Sequence, residues 1–167
     1  MMAQESGKEE LLDRIEKTAH DYEAKYHGCS RCVMQSLLDH LKLGDSSTFK
    51  ASIPLCAGVA MRGETCGALL GGVMALGLAS GKENIEDEDW MESVIAGYRL
   101  CRRFEKEIGS TSCREIQRAR LGRAFNFADL NDYAEFEKAG GYVECPKVVG
   151  KAARLAAQMI REQSEKK

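Results

Sequence analysis

Apolar residues recur at steps of three and four from Lys8 to Tyr26, with Leu11, Leu12, Ile15, Ala19, Tyr22 and Tyr26 on one stripe and charged residues elsewhere. That period predicts an amphipathic helix. Gly28 ends it, and Ser30 is placed to cap a second helix carrying Val33, Met34, Leu37, Leu38 and Leu41 as far as Gly44-Asp45. A short third helix is predicted over 46–55, closed by Pro54 and the glycines beyond. The segment 64–80 is rich in Gly, Ala and Leu, and Gly67, Gly71 and Ala75 recur four apart. Glycine costs a helix about 1 kcal/mol against alanine, so several in one helix point to close approach of a neighbouring backbone and to a central, buried position.

A further helix is predicted from Asp87 or Asp89, with Met91, Val94, Ile95, Tyr98, Cys101, Phe104 and Ile108 on its apolar stripe and Gly109 at its end. Ser112-Cys113-Arg114-Glu115 reads as a capping box and so as another helix start. The stretch 124–144 mixes Asn, Asp, aromatic residues and Gly140-Gly141, and is expected to be irregular with one helical turn. Pro146 suits the first turn of a final helix bearing Val149, Ala152, Ala153, Ala156, Met159 and Ile160 on one face. No internal repeat and no credible strand pair interrupts this pattern. The expectation is an all-α fold, a compact helical bundle of about six helices. Residues 1–27 form its N-terminal helix and 28–167 a cysteine-bearing domain, the whole being one compact domain.

Composition narrows the function. Of the residues, 44% are hydrophobic, enough for a core without disulfides, and the net charge of -2 recommends neither nucleic acid nor an anionic membrane as a partner. The N-terminus has no apolar run of the signal-peptide kind, and the stretch 68–79 is too short and glycine-rich to span a bilayer, so a cytoplasmic location is expected. Seven cysteines are many for such a protein. A reducing compartment disfavours permanent bridges, which raises metal ligation and redox chemistry.

On the predicted map Cys32, Cys66, Cys113 and Cys145 each fall at the cap or in the first turn of a different helix. Helix starts offer unpaired N–H groups and the positive end of the helix dipole, which favour the thiolate that ligates metal or attacks a disulfide. Four such starts converging would make one anionic centre, whereas a single cysteine of this kind is more often plain packing. Cys29 completes a Cys29-Ser30-Arg31-Cys32 pair, a spacing shared by redox dithiols and metal knuckles. Val33 follows it where c-type haem attachment needs histidine. Cys56 leads towards Cys66 as a neighbouring ligand, an attacking thiol or filler. Cys101 sits in an apolar stripe and reads as core.

The block Gly63-Glu64-Thr65-Cys66-Gly67-Ala68-Leu69-Leu70-Gly71 with Val73-Met74-Ala75-Leu76-Gly77, set among spaced cysteines, resembles the C_GCAxxG_C_C family of redox-active proteins. The central element here reads Cys-Gly-Ala-x-x-Gly, with two letters of the family's name transposed. The resemblance spans about 28–159 and implies an all-helical redox protein with Cys32, Cys66, Cys113 and Cys145 as its four cysteines. It is also similar to the cluster-bearing part of split-Soret cytochromes, which implies an iron–sulfur centre; no C-x-x-C-H is present, so their haem portion has no counterpart.

Other patterns carry less. The glycines of 58–65 are spaced like a phosphate loop, but Glu64 stands where lysine is needed. His27 adjoins Cys29 and reads as a surface histidine sooner than a ligand. Arg114, Arg118, Arg120 and Arg123 make a basic helix best read as a solvated face. The leading expectation is electron transfer through a [2Fe-2S] or [4Fe-4S] cluster on Cys32, Cys66, Cys113 and Cys145, with Cys29 and Cys56 close enough to assist. The alternatives are metal-free thiol–disulfide exchange led by Cys32 or Cys66, and a structural zinc module on the same four cysteines. A redox partner protein of unspecified identity is implied, and a homodimer is a fair expectation for a small helical protein.

Overall fold

A computed structural model describes residues 2–165. The chain runs through α1 (Met2–Tyr26), α2 (Cys29–Leu41), α3 (Ser46–Ser52), α4 (Gly67–Ser80), α5 (Met91–Ile108), α6 (Cys113–Leu121), α7 (Leu130–Lys138) and α8 (Gly141–Ser164). Short 3-10 turns at Ile53–Leu55 and Glu88–Trp90 extend α3 and precede α5. The all-α expectation holds, with eight α-helices among the described residues where about six were expected. None of the described helices is long and apolar enough to cross a membrane.

The helix that was not expected, α7, comes from 124–144. Asp129 there accepts the backbone N–H groups of Asn131 and Asp132, and this cap starts α7. Gly140, at φ 85°, then turns the chain directly into α8, its carbonyl accepting the N–H groups of Val143 and Glu144. Pro146 is therefore the sixth residue of α8 and not part of its first turn. The capping box expected at Ser112 is half formed: its hydroxyl accepts the Glu115 N–H at 3.4 Å, while the Glu115 carboxylate pairs with Arg118. A complete box stands at Asp45 and Thr48 instead.

Helix α4 forms the centre of the bundle, with α2, α5 and α8 packed around it, and α1 lies along α8 and α2. Ile15, Val33, Leu37, Leu69, Leu76 and Ala156 are among the side chains that meet in the core. Gly71 is what lets α2 and α4 touch: a Cβ there would lie 2.6 Å from the Ser30 carbonyl oxygen and 3.1 Å from Val33 Cβ.

Candidate functional site

Five cysteines from five segments line one cavity of about 220 Å³. Cys29 is the first residue of α2, Cys66 caps α4, Cys113 is the first residue of α6, and Cys145 is the fifth residue of α8. Cys56 follows the 3-10 turn after α3. Two crossed backbone hydrogen bonds hold Cys66 and Cys113 side by side: Cys66 N–H to Thr111 O at 2.8 Å and Cys113 N–H to Glu64 O at 2.7 Å. Gly67 admits a third thiol, since a Cβ there would lie 2.5 Å from Cys29 Sγ. Between Cys56 and Cys66 the backbone makes a left-handed turn, with Ala57, Gly58, Val59, Ala60 and Met61 all at φ between 50° and 68°. Left-handed conformations cost L-residues about 1 kcal/mol or more each, so the rest of the fold must hold this turn in place against local preference.

Of the four cysteines picked out by helix position, Cys66, Cys113 and Cys145 face the cavity and Cys32 does not. Cys32 is buried beside the cavity and not in its wall, next to Glu23, its thiol donating to the His27 carbonyl at 3.3 Å in a neighbouring groove with Tyr22 and Gln35. Its place on the cavity wall is taken by Cys29. Cys145 lies beyond the first turn of its helix because α8 starts earlier than Pro146 suggested. Cys101 is half-buried against the core, away from the cavity, in keeping with a packing role.

The thiols divide into two electrostatic classes. Burial pushes Cys66, Cys113 and Cys145 up, Cys113 to about 12, and the charge that Cys66 would carry raises Cys113 and Cys145 further. The N–H groups of Ala68 and Leu69 at the start of α4 act the other way on Cys66. Cys56 is the exception: a hydrogen bond from Cys29, the Ser30 hydroxyl and the Arg31 and Ser30 N–H groups at the α2 N-terminus draw it down to about 5. Cys29 is raised correspondingly, first because it donates to Cys56 and second by burial. The Ser30 oxygen lies 3.0 Å from Cys56 Sγ.

The remaining walls are apolar and aromatic, with Phe127, Phe136 and Tyr142 among them, and one carboxyl group. Glu23 is 4% exposed, and burial raises it to about 7. The sequence held a sign of this, since Glu23 falls four residues beyond Ala19 and eight beyond Ile15 on the buried stripe of α1. His27, read from sequence as a surface residue, lines the cavity and stacks on Tyr142 with ring centroids 3.7 Å apart. The basic helix is ion-paired along its length, Arg114 with Glu64, Arg118 with Glu115, Arg120 with Glu144 and Arg123 with Asp132.

Among the described residues no three His, Cys, Asp or Glu side chains are grouped to hold a single metal ion. A family model described as "Putative redox-active protein (C_GCAxxG_C_C)" matches residues 5–159. No curated protein and no solved structure matches the chain.

Proposed function

The chain belongs to the C_GCAxxG_C_C family, and from that premise we propose that it is an electron-transfer protein whose Cys29, Cys66, Cys113 and Cys145 hold an iron–sulfur cluster. The observation that carries this reading is the convergence of four thiols, from the starts or early turns of four helices, on one small, apolar-walled cavity. Such a centre needs four thiolates, and protonated thiols buried as these are become good ligands only when a cationic group offsets their charge. The cluster would supply one-electron storage. The protein's part is to desolvate it with Phe127, Phe136 and Tyr142, and to offset its negative charge through N–H groups such as those of Ala68 and Leu69 beside Cys66. Gln117 Nε2, 3.5 Å from Cys113 Sγ, orients that ligand. A reducing, cytoplasmic setting belongs to the same proposal, because it keeps seven cysteines as thiols.

A second reading is favoured by Cys56, whose thiol shares the cavity with Cys29, lies 3.0 Å from the Ser30 oxygen and is drawn towards the thiolate. The Cys56 thiolate would attack a substrate disulfide and expel one thiolate. Cys29, losing its proton, would then attack Cys56 Sγ and expel the second, leaving a Cys29–Cys56 disulfide and a substrate reduced by two electrons.

Anaerobic purification followed by visible absorption and iron and sulfide analysis separates the two. A brown protein that loses its colour in Cys29→Ser and Cys66→Ser, and keeps it in Cys32→Ser, is the expected result. A colourless, iron-free protein even after reconstitution with iron and sulfide, with Cys29 and Cys56 titrating as a two-electron dithiol, would overturn the cluster in favour of exchange.

A further inference from the structure

Helix α5 is apolar on two opposite faces. Ala96, Gly97, Leu100 and Phe104 are buried towards the bundle, while Met91, Val94, Ile95 and Tyr98 form an outward stripe at steps of three and four. Their exposures are 46%, 50%, 45% and 64%, and Trp90 at the head of the helix is 54% exposed. This face presents roughly 600 Å² of mainly apolar surface, at the upper end of what a monomer leaves in one patch and near the ~800 Å² per partner of a stable interface.

The charges beside the stripe identify what covers it. Glu88 and Glu92 stand at the N-terminal end of the patch and Arg99 and Lys106 towards the C-terminal end, where Arg102 is paired with Glu105 of its own helix. At 100° per residue Glu92, Arg99 and Lys106 share one flank of the helix. An antiparallel copy of the same helix, related by a two-fold axis between Ile95 and Tyr98, sets Glu92 of each chain beside Arg99 of the other, and stacks the two stripes. We propose that this face is a homodimer interface in which α5 packs antiparallel on α5 of a second copy of this chain.

The interface leaves the cysteine cavity open. The Ser93 hydroxyl donates to the Ser80 carbonyl at 3.2 Å, so the start of α5 lies beside the end of α4, whereas Cys66 caps the opposite end of α4, about 20 Å away along that helix. The proposal is thus independent of what the cavity binds.

Sedimentation velocity of the full chain from about 1 to 100 μM, within the range where interfaces of this size associate, tests it. The expected wild-type result is a two-chain species. Ile95→Glu and Tyr98→Glu, both at exposed positions and checked for native helix content, should each weaken association about 100-fold or more. Glu92→Arg and Arg99→Glu should each weaken it several-fold, and the two together should restore it, because the pairing is re-formed with reversed sign. A one-chain mass across the whole range, which would assign the face to a different protein or to no partner, overturns the proposal. So does a two-chain species that folded Ile95→Glu and Tyr98→Glu leave intact.

Discussion

Replacing Gly71 by alanine tests whether the close approach of α2 and α4 builds the site. In an exposed helix interior this change is stabilising by up to about 1 kcal/mol. At Gly71 the new Cβ would sit 2.6 Å from the Ser30 carbonyl oxygen, a backbone atom that cannot rotate away, and Val33 Cβ and Ser30 Cα would lie within 3.3 Å. Reaching ordinary contact at 3.4 Å demands a displacement of α2 by roughly 0.8 Å. Overpacking of this kind costs typically 1–3 kcal/mol, so after the propensity gain a net loss of about 1 kcal/mol is expected. For a domain of this size that is a fall in melting temperature of about 2–4 °C. Gly77, in the same helix, meets nothing within 4 Å, and Gly77→Ala should raise the melting temperature slightly. Thermal unfolding by circular dichroism, run on both variants and wild type, is the assay. Because α2 begins with Cys29, Gly71→Ala should also disturb the cavity thiols, seen as faster modification of Cys29 by a maleimide. A Gly71→Ala variant that melts at or above wild type would refute the reasoning.

Glu23 binds its proton more tightly in the folded chain, at about 7 against an ordinary 4.5, so its contribution is fully present below pH 4.5 and is lost as pH rises through 7. In metal-free, reduced protein Glu23→Gln should therefore gain about 3 kcal/mol over wild type at pH 8 and little at pH 4, measured by urea unfolding; equal pH slopes would contradict the burial of its charge. Cys56 should react with iodoacetamide at a rate that levels off above about pH 6, while Cys101, raised by burial, keeps accelerating past pH 9, as peptide mapping would show. Ser30→Ala should move the Cys56 plateau to higher pH; an unchanged profile would remove the hydroxyl from the account. Cys113→Ser should abolish iron binding under the cluster proposal, whereas Cys101→Ser should lower only the melting temperature, by a few degrees, with iron content read by elemental analysis.

The helices that the sequence announces are those with a long apolar stripe, α1, α2 and α5 above all, even though Ser30, expected to cap α2, is its second residue and Trp90, not an aspartate, precedes α5. The 124–144 segment hid α7 because its stripe is short, and its one well-buried residue, Phe136, is held by aromatic neighbours that come together only in three dimensions. Pro146 misled for a related reason: proline is most at home in a first turn, yet it is tolerated deeper in α8 once Gly140 has started that helix earlier.

By itself the sequence determined that the protein is helical, that a glycine-rich helix lies at its centre and that Cys66, Cys113 and Cys145 stand near helix starts, because periodicity, capping and glycine spacing are local properties. Which thiols face one another was decided by tertiary structure. Cys29 and Cys32 are three residues apart at the same helix start, and only the docking of α2 on α4 through Gly67 and Gly71 turns the first to the cavity and leaves the second behind. Glu23 and Cys56 owe their altered proton affinities to the same packing, since burial and hydrogen bonds to sulfur come from elements distant along the chain. A side chain's direction depends on where its helix is pressed against its neighbours, which no local pattern of residues encodes.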